Sequence, residues 1–245
     1  MLSYFCPEIN DFLTYLLNIC FYIMAKENNE ITYSSHSLIE NRVIDEGVHL
    51  LVFKRKFNFL PGQVVAITLD FTIEPRLYSI ASGDKDPNLK ILFDIKPEGV
   101  LTNKLSRLIP GDPVYISNPI GTFTSDNEKA FWIASGTGIA PYVSMLFSGL
   151  SDNKILIHGG KSLNSFYFQS EFLASMNERY IRCCSRETAE GIYKGRLTEY
   201  LKNSILPDPG QIFYLCGSAE MIVETRQILI EKGVPFENIM AEIYF

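Results

Sequence analysis

Gly136, Thr137 and Gly138 stand directly behind the apolar run Phe131-Trp132-Ile133-Ala134-Ser135 and just ahead of Pro141 and a second apolar stretch. A strand, a Gly-x-Gly turn and a helix with an early proline make the geometry of a phosphate cradle. Glycine lets the backbone approach a pyrophosphate, and the helix start turns N–H groups toward it. Pro141 suits a first helical turn, where its missing N–H is no loss. The turn reads G-x-G-x-x-P and lacks the third glycine of the usual dinucleotide fingerprint, so a plain tight turn fits this stretch equally well in isolation.

A second group of candidates is Arg76-Leu77-Tyr78-Ser79. Arg76 and Tyr78 share one face of a strand, and Ser79 takes the other unless the strand ends there. Arginine binds phosphate through paired hydrogen bonds, and a tyrosine ring stacks on a flat heterocycle. A surface arginine beside a core tyrosine is the plainer alternative. Ser185 and Arg186 follow a strand-like run, and Arg196 lies ten residues on. Their planar cations suit a 2′-phosphate, whereas an acidic residue would favour plain ribose hydroxyls, and Glu187 sits next to Arg186. Cys216-Gly217 ends another apolar run, and Glu242-Ile243-Tyr244-Phe245 closes the chain with aromatic residues, where termini are usually polar. His158 and Lys161 are weaker candidates. A lone histidine at a strand end is more often structural.

The elements that position these residues come in two styles. From residue 31 to 125 the runs HLLVFKRKF, GQVVAITLD, RLYSIAS, LKILFDIK and DPVYISNP are separated by Pro-Gly, Gly-Asp and Asp-Pro, which predicts an antiparallel barrel or sandwich. Leu101, Leu105 and Leu108 predict one helix over residues 101–109. From residue 126 onward, AFWIAS, KILIHGG, YIRCCSR and QIFYLCG alternate with helix-like stretches, which predicts a doubly wound parallel sheet. The polar stretch 123–130 separates the two styles. The expected organisation is a β-barrel domain over 31–125 and an α/β domain over 126–245, behind an N-terminal extension, 1–30.

Composition narrows the class. The 245 residues are enough for two domains, and 47% hydrophobic with 20% charged residues is ordinary globular usage. A net charge of −6 argues against a nucleic-acid binder dominated by phosphate contacts. Cys6, Cys20, Cys183, Cys184 and Cys216 form no CxxC pair, so no zinc or cysteine-ligated iron–sulfur site is expected, and the thiols read as buried and reduced in a cytoplasmic protein. Neighbours on a strand, Cys183 and Cys184 should face opposite ways. Residues 12–24 are apolar but short for a membrane span, and no Lys or Arg precedes Lys26, so neither stable membrane insertion nor a secretory signal is expected. Met24 opens MAKENNEITY like a natural start, and residues 1–23 read as an upstream extension; a short amphipathic helix is the rival.

R-x-Y-S, Gly99 to Thr102, NPIGTF, SGTGIAP, CSRE, YLCGSAEM and a terminal AEIYF, in this order, resemble the ferredoxin–NADP reductase family, the bacterial flavodoxin/ferredoxin–NADP reductases most. The resemblance implies an FAD-binding barrel followed by an NADP-binding domain. It implies that Arg76 meets the flavin pyrophosphate, that Leu77 is among the FAD-binding residues, that Tyr78 stacks on the isoalloxazine or ribityl side, and that Ser79 lies near the hydride-accepting nitrogen. Gly99, Val100, Leu101 and Thr102 would seat the FAD pyrophosphate, although Thr102 taken alone reads as a helix cap. Gly136, Thr137 and Gly138 would hold NADP, with Ser185, Arg186 and Arg196 on its 2′-phosphate and Cys216 and Gly217 near the nicotinamide. Glu242 and Tyr244 match the family's terminal acid and flavin-covering ring, and Phe245 is an added aromatic of the bacterial type. The implied activity is that of a ferredoxin/flavodoxin–NADP(+) reductase, with Ser79, Cys216, Glu242 and Tyr244 as catalytic residues, FAD and NADPH as cofactors, no metal, and a monomer that meets ferredoxin or flavodoxin transiently. The run Lys54-Arg55-Lys56 offers a basic patch for such acidic carriers. A flavoreductase serving an oxygenase component or another acceptor, and a non-catalytic FAD electron-transfer subunit, are the alternatives.

Overall fold

The computed structural model describes residues 31–208 and 210–244. The apolar N-terminal segment, its start-site reading, Cys6, Cys20 and Phe245 lie outside the described residues.

Two six-stranded sheets follow one another. The first comprises β1 (Tyr33–Asp45), β2 (Val48–Lys54), β3 (Val64–Thr68), β4 (Arg76–Ser79), β5 (Asn88–Asp94) and β6 (Pro113–Ser117) in the order β4-β3-β6-β1-β2-β5. Neighbours are antiparallel, and an antiparallel bridge from Ile80 to Ile91 joins β4 back to β5, so the sheet closes on itself as the expected barrel. Closure explains why β2 and β5 read as almost unbroken apolar runs. Leu51, Phe53, Leu89, Ile91 and Phe93 fill the barrel, while Val48, Leu50 and Leu92 on the alternate face pack into a core shared with the second unit. Strand β1 is long and half polar, with bulges between Leu38 and Glu40 and between Val43 and Asp45, and its sequence gave no alternating apolar signal.

The helix expected over 101–109 is shorter: α1 spans Val100–Leu105. Pro110 disfavours a helical Ile109 and has no N–H to return to Ser106, and Asn41 from β1 donates to the free carbonyls of Ser106 (3.1 Å) and Leu108 (3.0 Å) beyond the helix end.

The second sheet is wholly parallel. Strands β7 (Ala130–Ser135), β8 (Lys154–Gly160), β9 (Tyr180–Cys184), β10 (Tyr193–Lys194), β11 (Ile212–Ser218) and β12 (Ile239–Tyr244) lie in the order β10-β9-β8-β7-β11-β12. Helices α2 (Ala140–Phe147), α3 (Gln169–Met176), α4 (Leu197–Ser204) and α5 (Ala219–Glu231) cover it. On β7, Trp132 enters the core shared with the barrel and with α2 and α3, while Phe131 and Ile133 enter the core beneath α4 and α5. Both faces of β9 are covered in the same way, so Cys183 and Cys184 point apart and are both buried. The chain steps outward from β7 to β10 and then returns to β7's other side for β11 and β12. The strand order therefore reverses between β7 and β11, the place where open α/β sheets form a crevice at their carboxyl ends.

Candidate functional site

The glycine turn stands at that crevice. Gly136 to Ile139 form a short 3₁₀ turn between β7 and α2, and Pro141 is the second residue of α2, as its ring requires. The two glycines do different things. Gly136 has φ +56°, a left-handed backbone, and a Cβ there would meet nothing within 4 Å, so this side of the turn is open to a ligand. Gly138 faces inward, where a Cβ would come within 2.4 Å of the Cys216 carbonyl oxygen. Its smallness packs the turn onto β11, while Gly136 leaves room.

Cys216 lies on β11 between Ala134 of β7 and Glu242 of β12, fully buried. Gly217 follows, and a Cβ on it would come within 2.3 Å of Ser135 Oγ. Tyr142 at the start of α2 locks the same strands from below: its hydroxyl lies 2.7 Å from the Tyr214 carbonyl oxygen and 3.2 Å from that of Ile133.

The barrel meets this edge with the end of β4. The strand stops at Ser79, and its hydroxyl donates to Glu242 Oε2 at 2.7 Å across the junction between the sheets. Burial pushes the Glu242 carboxyl up to about 7, against the Ser79 hydrogen bond, which pulls it down. A carboxyl titrating near neutrality beside a hydroxyl can hold a proton or release it at Ser79 Oγ. A second cross-junction contact is the Thr137 hydroxyl on Asp94 Oδ1 at 3.3 Å.

Leu77 is half-buried, and Tyr78 is packed into the barrel core with its ring edge-on to Phe93, which makes its hydroxyl a poor acid through burial. Arg76 is 63% exposed and carries only a surface ion pair to Glu74 at 2.9 Å, so its guanidinium is open to an anion. Gly99 is the N-cap of α1 with no side-chain cap; Val100 is exposed, Leu101 buried, and Thr102 accepts the Lys96 N–H at 3.1 Å. Thr102 thus holds the turn before the helix rather than capping it.

The far edge presents two exposed arginines. Strand β10 pairs with β9 as Tyr193 with Cys183 and Lys194 with Cys184, and the Gly195 N–H donates to the Cys184 carbonyl. Arg186 and Arg196 follow the ends of these two paired strands, and both are exposed. Arg196 makes a loose pair with Glu220 at 3.6 Å, with both side chains mostly exposed. Ser185 is tied back to the Gly160 carbonyl through its backbone N–H at 3.0 Å. Glu187 accepts the Leu163 N–H at 2.7 Å. His158 is structural, as expected: it is fully buried and bonded to the Tyr180 hydroxyl at 3.0 Å, and burial holds it down to about 3. Of the basic run, Arg55 is held by the Asp84 carbonyl and Lys56 by that of Ser35, while Lys54 is exposed.

Residues that sequence reading passed over hold the junction. Lys154 is completely buried and donates to the carbonyls of Asp126 (2.7 Å) and Glu128 in the connection between the sheets, with the Glu128 carboxylate 3.7 Å away. A lysine opening a strand gives no signal of this role. Among the described residues no cluster of three or more His, Cys, Asp or Glu could hold a metal, and no helix is long and apolar enough to cross a membrane.

These features fit a flavin and a nicotinamide dinucleotide: an open left-handed glycine at the switch point, exposed arginines at β4 and at the β9–β10 edge, and a polar pair between them. The comparisons with known proteins agree. Residues 35–125 match the oxidoreductase FAD-binding domain and residues 132–227 the oxidoreductase NAD-binding domain. The chain is 29% identical to the ferredoxin–NADP reductase of Azotobacter vinelandii, over 75% of this chain and 83% of the relative. It is 30% identical to a Pyrococcus abyssi protein named probable dihydroorotate dehydrogenase B (NAD(+)), electron transfer subunit, over 76% and 70%. With the toluate 1,2-dioxygenase electron transfer component of Pseudomonas putida it shares 28% identity over 75% of this chain, and spans only 58% of that relative's length. The crystal structure of a ferredoxin NADP+ reductase from Neisseria gonorrhoeae with bound FAD and NADP has the same fold, at a TM-score of 0.78, 21% identity, and coverage of 87% of this chain and 99% of that one. The chain belongs to the ferredoxin–NADP reductase family of oxidoreductases that bind FAD and NAD(P).

Proposed function

We propose that the chain is a reductase that exchanges electrons between NADPH, as hydride, and ferredoxin or flavodoxin, as single electrons. The observation that carries this reading is the Ser79–Glu242 hydrogen bond between the two sheets, with Cys216 in register beside Glu242 on the neighbouring strand. Bound flavin supplies the redox chemistry, since it accepts hydride and gives electrons singly. The chain's residues do the rest. In this reading Arg76 and the residues from Gly99 to Thr102 hold the FAD pyrophosphate. Tyr78 lies against the flavin or its ribityl side, Tyr244 rather than Phe245 covers the ring, and Ser79 and Glu242 set the proton at the reacting edge. The glycine turn, Cys216 and Gly217 seat the nicotinamide half, and Ser185, Arg186 and Arg196 take the 2′-phosphate. The boundary between the FAD and NADP domains falls at 125/126.

NADPH is preferred to NADH on the strength of two exposed arginines at this edge, Arg186 and Arg196, the latter in only a loose exposed pair with Glu220, while Glu187 accepts the Leu163 N–H. Arg186→Ala is expected to weaken NADPH on the order of tenfold or more with little change for NADH. An equal loss with both nucleotides, read from steady-state kinetics, would refute the 2′-phosphate role. A protein carrier in the barrel-side reading meets the exposed Lys54, and its association should weaken with salt. Reduction of the flavin by neither nucleotide, with FAD retained, would favour the electron-transfer subunit reading instead.

A further inference from the structure

We propose that Asp94 is a built-in anion that occupies the phosphate-binding groups of the nucleotide seat and must be displaced before the dinucleotide binds. The proposal rests on the reading of the glycine turn as that seat. Asp94 ends β5, on the barrel side of the crevice, and its carboxylate holds one donor on each oxygen. Oδ1 accepts the Thr137 hydroxyl from the glycine turn at 3.3 Å, and Oδ2 accepts the Lys96 ammonium at 2.9 Å. A hydroxyl of the turn and a lysine ammonium, both aimed at one oxyanion group, are what a phosphate would take from this edge. The carboxylate already has them.

The contact is built to yield. Asp94 and Lys96 are 39% and 43% exposed, and an ion pair so open to water is only weakly held. Thr137 lies beside Gly136, whose open side faces no other atom within 4 Å, so an incoming phosphate has access to the turn. The junction does not depend on the contact either. Ser79 to Glu242 at 2.7 Å, the Asp84 N–H to Ser148 Oγ at 2.9 Å, and a continuous core from Leu50 and Leu92 to Trp132 and Tyr142 hold the two units without it. Asp94 therefore competes with the ligand for Thr137 and Lys96 and adds a like charge where phosphates must come. The apparent affinity is reduced by the fraction of molecules in which the carboxylate has swung away. The competition concerns the pyrophosphate common to both dinucleotides, so it sets affinity and exchange rate and leaves the choice of 2′-phosphate to Arg186 and Arg196.

Calorimetric titration of the FAD-loaded protein with NADP+, and with NAD+, tests this directly, using wild type, Asp94→Asn, Asp94→Ala and the double variant Asp94→Ala/Lys96→Gln. Asp94→Ala is expected to lower Kd on the order of tenfold for both nucleotides, with their ratio unchanged and with less gain at high salt. Asp94→Asn keeps an acceptor for Thr137 but releases Lys96, so it should give a smaller gain in the same direction. The double variant should return Kd to the wild-type value or above it. An unchanged or raised Kd in Asp94→Ala and Asp94→Asn, with normal FAD content, would overturn the proposal and leave Asp94 as a strut. Failure of NADP+ and NAD+ to bind any of the four proteins would overturn the seat itself, and the proposal with it.

Discussion

Among single residues, Glu242 and Ser79 form the polar contact that joins the two sheets. The ordinary value of a glutamate is 4.5, and burial raises this one to about 7 in the folded protein. The folded chain thus keeps a proton that the unfolded chain has lost above about pH 4.5. Its contribution to stability is greatest at low pH, declines as pH rises toward about 7, and is flat beyond. Glu242→Gln should abolish that decline in denaturation curves collected across the window. It should also remove an inflection near neutrality from the pH profile of flavin reduction, and an unaltered profile would mean that another group sets the proton. Cys216 has a different part. It is fully buried between β7 and β12, so Cys216→Ala is expected to slow hydride transfer through repositioning of the nicotinamide while FAD content stays normal. Loss of FAD instead would make the cysteine purely structural.

At the scale of elements the two glycines of the turn separate function from packing. Gly138→Ala would drive a methyl into the Cys216 backbone, which cannot move aside, and should cost about 1–3 kcal/mol of stability. Gly136→Ala meets no atom but strains a left-handed backbone, and should cost about 1 kcal/mol while impeding the nucleotide more than the fold. Thermal or chemical denaturation beside a nucleotide titration separates the two effects. These elements were readable in the sequence to different degrees. Ala130–Ser135 and Lys154–Gly160 match their runs residue for residue, because buried parallel strands carry strong apolar signals. Strand β1 did not, since most of its residues point to solvent and its register is carried by partners on both sides. Strand β10, two residues long, is defined by its pairing with β9 alone. Strand β12 was visible only as a family-like ending, although it supplies the register that brings Glu242 beside Cys216. The contacts Ser79–Glu242 and Asp94–Thr137 span 163 and 43 residues of chain, and no local pattern could have announced either.

For the molecule as a whole, the arrangement depends on two units closing over one core. Lys154 is the pin: a buried ammonium that satisfies the carbonyls of the connection and faces Glu128. Lys154→Ala should destabilise the protein by about 3 kcal/mol and loosen the junction, seen as a lower denaturant midpoint. The crevice so held is expected to bring a hydride donor and a flavin together, with the arginines of β9 and β10 selecting the 2′-phosphate. The most direct test is the rate at which NADPH and NADH bleach the flavin's visible absorption band in the FAD-loaded protein, followed in a stopped-flow spectrometer without any electron carrier. Fast bleaching by NADPH and slow bleaching by NADH is the predicted result. Bound flavin that neither nucleotide reduces would contradict it.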